Sequence, residues 1–129
     1  MLRSFDLWNQ VKQKLHQFVH KAPYVNEGDI WWISFGENVG SEMNGKSALF
    51  SRPGIIYKKL SHSFYLVIPT TTREKSGSWY VPLRHQGRNM AACLHQVRTV
   101  DYRRLSSKLG RLDDTDFARV RDGFRKLYC

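Results

Sequence analysis

The spacing of apolar residues changes near Gly28, and this change constrains the fold more than any other feature of the chain. Before it, apolar residues from Phe5 to Val19 recur at helical intervals over residues 4–20. After it, the chain consists of short runs rich in aromatic and β-branched residues, separated by glycines and polar turns. The pattern therefore predicts one helix followed by a mainly β structure.

The segment before Gly28 predicts a single amphipathic helix. Ser4 is a suitable N-cap, and Pro23 prevents the helix from continuing. Its apolar stripe can bind a partner protein or pack against the protein's own core. Such stripes usually pack within their own chain. We therefore expect residues 1–25 to form a helix packed on or beside a β domain formed by residues 26–129.

The β domain is expected to contain five or six short strands and a terminal helix. A short helical turn is expected near Tyr102–Leu105, and Asp113 or Asp114 should cap the final helix. Strands and helices together, in 129 residues, indicate an α+β protein that is mainly β, with the strands curled into a small barrel. The predicted strands cover residues 29–35, 54–59, 63–68, 78–83 and, as a buried strand, 90–97.

Two aromatic pairs mark positions where a strand presents both of its faces. Trp31 and Trp32 are adjacent, so one should face the core and the other the opposite side, and Trp79 and Tyr80 repeat the arrangement. The outward rings suit RNA stacking or a dimer interface, and the enrichment of Trp and Tyr at interfaces favours the second. Pro82 favours an edge position or a bulge for its strand.

The charge of the chain favours a polyanionic partner. The net charge is +10 and the pI is about 10.0, which suits nucleic acid, an acidic protein or an anionic membrane surface. No apolar run approaches the length of a membrane span, and the first residues lack a signal-peptide layout. The two cysteines form no disulfide framework. We therefore expect a cytoplasmic protein without a membrane association.

The motifs that the chain lacks restrict its chemistry. It contains no HExxH, no Cys-x-x-Cys and no Walker loop, and its acidic residues are scattered. We therefore expect no metal and no cofactor. If the protein is a nuclease, it has to work without a metal. RNA permits this, because its own 2′-OH can attack the neighbouring phosphate while an Arg stabilises the developing charge and an imidazole moves the proton.

Six short blocks, in order along the chain, resemble the pattern of the MazF/PemK toxins. The resemblance covers roughly residues 27–128, and each block is weak by itself while the set in register is specific. The blocks are Gly28–Trp31, Gly40–Glu42, Arg52–Pro53, Ile68–Thr72, Gln96–Asp101 and Arg104–Leu105.

The resemblance implies an SH3-like or plasmid-maintenance-toxin barrel that forms a homodimer. It also implies an endoribonuclease that cuts single-stranded RNA at short sequences, leaving a 2′,3′-cyclic phosphate and a 5′-OH. Such toxins are held inactive by an acidic antitoxin. The toxin domain would cover residues 26–129.

The resemblance also implies the site residues. The family's catalytic Arg falls on Arg52, which would stabilise the transition state and assist proton transfer, and its catalytic Thr falls on Thr71, which would hold the phosphate. His95 is a further catalytic candidate, expected on the strand that lines the groove, either as a general acid or base or as a base-stacking contact. Partial burial without a catalytic role is the alternative for His95. Substrate binding is expected from Ser41, Glu42, Thr70, Thr72 and Gln96.

Two departures from the family pattern bear on these roles. The loop between Glu42 and Arg52 is longer, which would affect substrate choice or the fit of the antitoxin. Cys93 and His95 occupy places where some relatives carry an Arg and an acidic residue.

Two other functions remain open from the sequence. The same barrel serves as a protein-binding toxin in gyrase poisons, although the end of this chain, Leu127–Cys129, does not resemble their tail. A non-catalytic RNA-binding barrel is the second alternative.

Overall fold

The computed structural model describes residues 24–36 and 51–129, which form seven strands and a C-terminal helix. The predicted N-terminal helix of residues 4–20 lies outside the described residues. The elements are β1 (Asp29–Ser34), β2 (Ser51–Lys59), β3 (Phe64–Thr71), β4 (Tyr80–His85), β5 (Arg88–Cys93), β6 (Arg98–Asp101), β7 (Leu105–Arg111) and α1 (Asp114–Tyr128).

The strands form one antiparallel sheet in the order β4-β5-β3-β2-β1-β7, with β6 also paired to β3. One edge of β3 pairs with β2, and its other edge is shared by two strands: β6 pairs with the first half of β3 and β5 with its last two residues. The sheet curls until its outer strands meet. A Cβ on Gly110 of β7 would lie 2.6 Å from the His85 ring at the end of β4. The predicted mainly β, barrel-like fold is confirmed.

Apolar residues fill both faces of the sheet, in the alternation that strands impose. Trp31 is only 7% exposed and packs in one cluster, whereas the adjacent Trp32 is 37% exposed, as expected for such a pair. A second cluster lies beneath α1. The first cluster contains Val25, Trp31, Ile33, Phe35, Ile56, Tyr65, Val67, Val100, Tyr102 and Leu105, and the second contains Ile30, Ile55, Ile68, Val81, Leu83, Ala92, Leu94, Leu112, Phe117 and Val120.

Helix α1 begins where the sequence predicts. The Asp113 side chain accepts a hydrogen bond from the Asp116 N–H at 2.7 Å, which caps the first turn. Gly123 costs the helix about 1 kcal/mol relative to Ala. A Cβ there would meet Val81 at 2.9 Å and Leu94 at 3.0 Å, so the glycine allows α1 to lie close to β4. Within the two described ranges, no helix has the length and apolar character needed to span a bilayer.

Two sequence expectations need correction. The predicted strand over residues 90–97 ends at Cys93, and Leu94–Gln96 form a 3₁₀ turn in which the Leu94 N–H donates to the Trp79 carbonyl at 2.8 Å. β6 and β7 were not predicted, because polar residues on their exposed faces dilute the β signal.

The expected turn near residues 102–105 is present as Tyr102–Arg104. Pro82 lies on β4, which ends the strand order, as predicted.

Candidate active site

Arg52 and Thr71 lie at the same end of the β2–β3 pair. Gly54 pairs with Pro69, and Arg52 and Thr71 are each two residues further toward that end. Residues two apart on a strand share a face, so both side chains project from the same side of the sheet. The Arg52 Nη1 donates to the Thr70 carbonyl oxygen at 3.4 Å, which holds the guanidinium over the end of β3.

Both side chains are nearly buried: Arg52 is 6% exposed and Thr71 is 4% exposed. Burial lowers the pKa of Arg52 from its ordinary value, the nearby Cys93 opposes this shift, and Arg73 adds to it. An Arg nevertheless stays protonated in a protein. The site therefore holds a positive charge in a poorly solvated place, where its attraction for a phosphate is stronger than in water.

The hydroxyl groups of Thr70 and Thr71 have different surroundings. The Thr71 Oγ1 accepts from the Arg73 N–H at 3.2 Å, so its own proton can still be donated to a phosphoryl oxygen. The Thr70 Oγ1 instead donates to the Pro53 carbonyl at 2.8 Å, and adjacent strand residues point to opposite faces. Thr71 thus shares the Arg52 face, and Thr70 reaches it through its backbone carbonyl.

Cys93 completes the buried part of this face. Thr71 pairs with Ala91, and Cys93 lies two residues further along β5 on the same side. Burial raises the pKa of the Cys93 thiol to about 11, although Arg52 and Lys75 both act in the other direction. The thiol is therefore neutral at pH 7, so it is a weak nucleophile and adds no charge next to the guanidinium.

His95 does not lie on a strand, contrary to the sequence expectation. It is the middle residue of the 3₁₀ turn after β5 and packs against two aromatic rings. It stacks on Trp79 with ring centroids 4.9 Å apart and meets Tyr80 edge-on at 5.2 Å. Burial lowers its pKa, a backbone hydrogen bond with Trp79 opposes the shift, and Lys75 adds to it. The neutral imidazole, which can accept a proton, is thereby favoured near pH 7.

A groove of about 500 Å³ extends beside this face. Its floor includes Pro82, Leu83 and Ala91, and its other side is the polar segment that follows Thr71. Thr72 lines the groove, whereas Gln96 ends the 3₁₀ turn next to His95.

Two of the predicted site residues are not among those that the structure describes, and two residues of the groove were not predicted. Ser41 and Glu42 lie outside the described residues. Arg73 and Lys75, which line the groove, were not predicted, although two basic residues within three positions after the Ile68–Thr72 block are the signal that would have identified them. Within residues 24–36 and 51–129, no three His, Cys, Asp or Glu side chains come together as a potential metal site.

Several solved structures share this fold. MazF from Deinococcus radiodurans is 23% identical, with a TM-score of 0.67, and the match covers 81% of this chain and 97% of that one. A mycobacterial endoribonuclease in complex with its cognate antitoxin is 10% identical, with a TM-score of 0.63 and coverage of 80% and 93%. The Mycobacterium tuberculosis toxin MazF-mt6 is 13% identical, with a TM-score of 0.60 and coverage of 78% and 95%.

A family model matches nearly all of the β domain. It is described as the PemK-like, MazF-like toxin of type II toxin-antitoxin systems, and it matches residues 26–128. None of the curated proteins compared with the chain is a significant match. Because the family model spans most of the chain, from before β1 to the last residue of α1, the protein belongs to the PemK-like, MazF-like family of toxins of type II toxin-antitoxin systems.

Proposed function

We propose that this toxin is a metal-independent endoribonuclease that cleaves single-stranded RNA to a 2′,3′-cyclic phosphate and a 5′-OH. The observation that carries the proposal is the position of Arg52 and Thr71 on one face at the end of β2 and β3. A planar guanidinium and a hydroxyl donor are the groups that a phosphoryl-transfer site without a metal needs. The adjacent groove has an excess of positive charge, since it is lined by Arg73 and Lys75 and by one acidic residue, Glu74.

The reaction uses the RNA as its own nucleophile. The 2′-oxygen forms a bond to the adjacent phosphorus as its proton leaves, and the bond from phosphorus to the 5′-oxygen breaks as that oxygen gains a proton. Arg52 would stabilise the extra negative charge of the phosphorane, and Thr71 would donate to a phosphoryl oxygen. His95, neutral near pH 7, would contribute to proton transfer.

Substrate binding would extend from this pair into the groove and the turn after β5. Thr72, which lines the groove, and Gln96, which follows His95 in the turn, would contact the RNA, and the Thr70 carbonyl accepts a hydrogen bond from the guanidinium. Ser41 and Glu42 would contact the RNA from the loop before β2. Sequence selectivity would come from the edges of unpaired bases, which single-stranded RNA leaves accessible.

The chain would act in the cytoplasm as a homodimer and be held inactive by an acidic antitoxin. The support is the family membership, the net charge of +10, and the solved complexes of structurally similar proteins with a cognate antitoxin or with MazE. A strongly basic toxin attracts an acidic partner and RNA by the same long-range electrostatics, so the two should compete.

The decisive experiment is cleavage of single-stranded RNA by the purified protein in EDTA. We expect fragments whose 5′ ends accept phosphate from a kinase without prior phosphatase treatment and whose 3′ ends are cyclic phosphates. Arg52→Ala should lower the single-turnover rate by about 10²–10³-fold, as expected when a preorganised donor to the transition state is lost.

Three outcomes would contradict the proposal. Cleavage that requires a divalent metal, or that leaves 5′-phosphates, would exclude the mechanism. RNA binding without cleavage would indicate a non-catalytic RNA-binding barrel. Inhibition of gyrase supercoiling without RNA cleavage would indicate a protein-binding toxin.

A further inference from the structure

Trp79 is a large aromatic side chain that the cleavage mechanism does not use. It is 53% exposed, the most of the three Trp residues that the structure describes. Its backbone is nevertheless fixed, because the Leu94 N–H donates to its carbonyl at 2.8 Å and the next residue, Tyr80, donates to the Gly77 carbonyl at 3.1 Å. An exposed ring on a fixed backbone loses little conformational entropy when it binds a ligand.

The orientation of the Trp79 ring is also fixed. His95 stacks on it with an interplanar angle of 28°, and Tyr80 contacts the same imidazole at 75°. The three rings therefore form a short ladder that begins with the exposed Trp79 and continues inward. We refer to Trp79, His95 and Tyr80 as the aromatic ladder.

The aromatic ladder lies beside the proposed cleavage site. Tyr80 pairs with Cys93 across β4 and β5, and Cys93 is two residues from Ala91, which pairs with Thr71 across β5 and β3. Lys75 lines the groove together with Pro82 and Ala91, and its charge lowers the pKa of both Cys93 and His95. The ladder and the Arg52 guanidinium are thus adjacent sites, with a cation near both.

We propose that Trp79, backed by His95, is a stacking subsite for one base of single-stranded RNA next to the cleaved phosphate. This inference rests on the proposed endoribonuclease function. Every base has a π-face, so the subsite would strengthen binding without selecting a sequence. Lys75 and Arg73 would neutralise the phosphates on either side of the stacked base. The groups that read the sequence would then lie elsewhere in the site.

The charges beside the ladder favour RNA over a second copy of this chain. Arg73 and Lys75 outnumber Glu74 along the neighbouring groove, and RNA brings phosphates that can pair with this excess of positive charge. The dimer-interface alternative for Trp79 is an outcome of the experiment below.

The test measures binding of a short, mixed-sequence 2′-O-methyl RNA, which cannot be cleaved because the attacking hydroxyl is blocked. We expect Trp79→Ala to weaken binding about 5- to 150-fold, as expected for the loss of one stacked base. Trp79→Phe should retain most of the affinity because it keeps an aromatic ring. Phe64→Ala is the matched control, since Phe64 is an exposed aromatic at the other end of β3 and should bind like the unaltered protein.

A second probe isolates the base. An oligonucleotide with the same sugar-phosphate backbone but no bases should bind the unaltered protein and Trp79→Ala equally. On cleavable RNA, Trp79→Ala should raise KM with little change in kcat, because stacking is the same in the ground and transition states.

Each remaining outcome overturns the inference. If Trp79→Ala and the unaltered protein bind the base-containing RNA with equal affinity, the stacking subsite is overturned. The proposed nuclease function survives this outcome if cleavable single-stranded RNA is still cut. An equal loss of affinity for both probes shows that Trp79 does not contact a base. If light scattering shows that Trp79→Ala loses a dimer while its folded monomer keeps full affinity, Trp79 belongs to the interface. If the unaltered protein neither binds nor cuts RNA, the subsite and the proposed function both fail.

Discussion

Strands β2 and β3 run side by side, yet the centre and one end of this pair bury opposite kinds of side chain. At the centre, Ile56 pairs with Val67 and both are completely buried among apolar neighbours. At the end, the same strands bury Arg52 and Thr71. Each apolar side chain stabilises the fold by about 1.5–3 kcal/mol when buried, whereas burying a guanidinium costs free energy.

This difference separates the part of the sheet that stabilises the fold from the part that we assign to chemistry. A buried ionised group is weak evidence for stability, since an apolar residue of similar volume is often equal or better. We therefore expect substitutions at the centre to change stability and substitutions at the polar end to change activity.

The largest expected effect is on stability, at the centre. Ile56→Ala should lower the free energy of unfolding by about 2–5 kcal/mol, because it leaves a cavity in the apolar cluster. Urea denaturation followed by Trp fluorescence measures this. Ile56→Val, the matched control, should cost only about 0.5–1.5 kcal/mol. RNA cleavage per folded molecule should not change for either variant. A loss of cleavage in fully folded Ile56→Val would show that the centre of the strand pair also contributes to activity.

The next largest effect is on activity, at the polar end. Arg52→Lys keeps the charge but loses the planar fork, so the single-turnover rate of RNA cleavage should fall about 10- to 100-fold. The urea midpoint should stay near that of the unaltered protein. Arg103→Lys is the control, because Arg103 is an exposed arginine paired with Asp101. If Arg52→Lys unfolds the protein while cleavage by the folded fraction is normal, Arg52 is structural.

A smaller effect is expected at Thr71. Thr71→Val has the same shape without the hydroxyl, so it should slow cleavage about tenfold, the equivalent of one hydrogen bond of roughly 1.4 kcal/mol. Thr71→Ser should recover most of the rate. Thr99→Val on β6, where the threonine is exposed, is the control and should cleave normally. Full activity of Thr71→Val would remove this residue from the mechanism.

The smallest effect concerns pH and His95. Because the folded-state pKa of His95 is lowered, the unfolded chain binds its proton more readily as the pH falls below 6.5. Its contribution to stability is therefore full above the ordinary His pKa and is lost as the pH falls toward the folded-state pKa. We expect the drop in urea midpoint between pH 7.5 and about pH 5 to be smaller in His95→Gln. An identical drop in both proteins would show that His95 does not titrate differently on folding.

The local parts of the fold were predictable because their causes are local. The β-branched and aromatic runs after Gly28 indicated β1 to β5, and Asp113 indicated the start of α1. The exceptions are also local in origin, since β6 and β7 carry polar residues on an exposed face and a strand signal of that kind is weak. The strand predicted over residues 90–97 was too long because an apolar run cannot show where a 3₁₀ turn replaces pairing.

The candidate site was predictable only as residues at family positions. The resemblance indicated Arg52 and Thr71, and the position of His95 beside Gln96 indicated the third residue, but no sequence pattern showed that the guanidinium and the threonine would be nearly buried. It also could not show that His95 would stack on Trp79, since that contact depends on the β4–β5 register and on the turn that follows β5.

By itself the sequence determined the class of structure and the net charge of the protein, because strand propensity, helix capping and net charge depend on residue types and their spacing. Tertiary structure decided which groups share a face, how deeply Arg52 is buried, and which aromatic rings meet beside it. Those properties depend on strand register and on the curl of the sheet, which bring together residues that are distant along the chain.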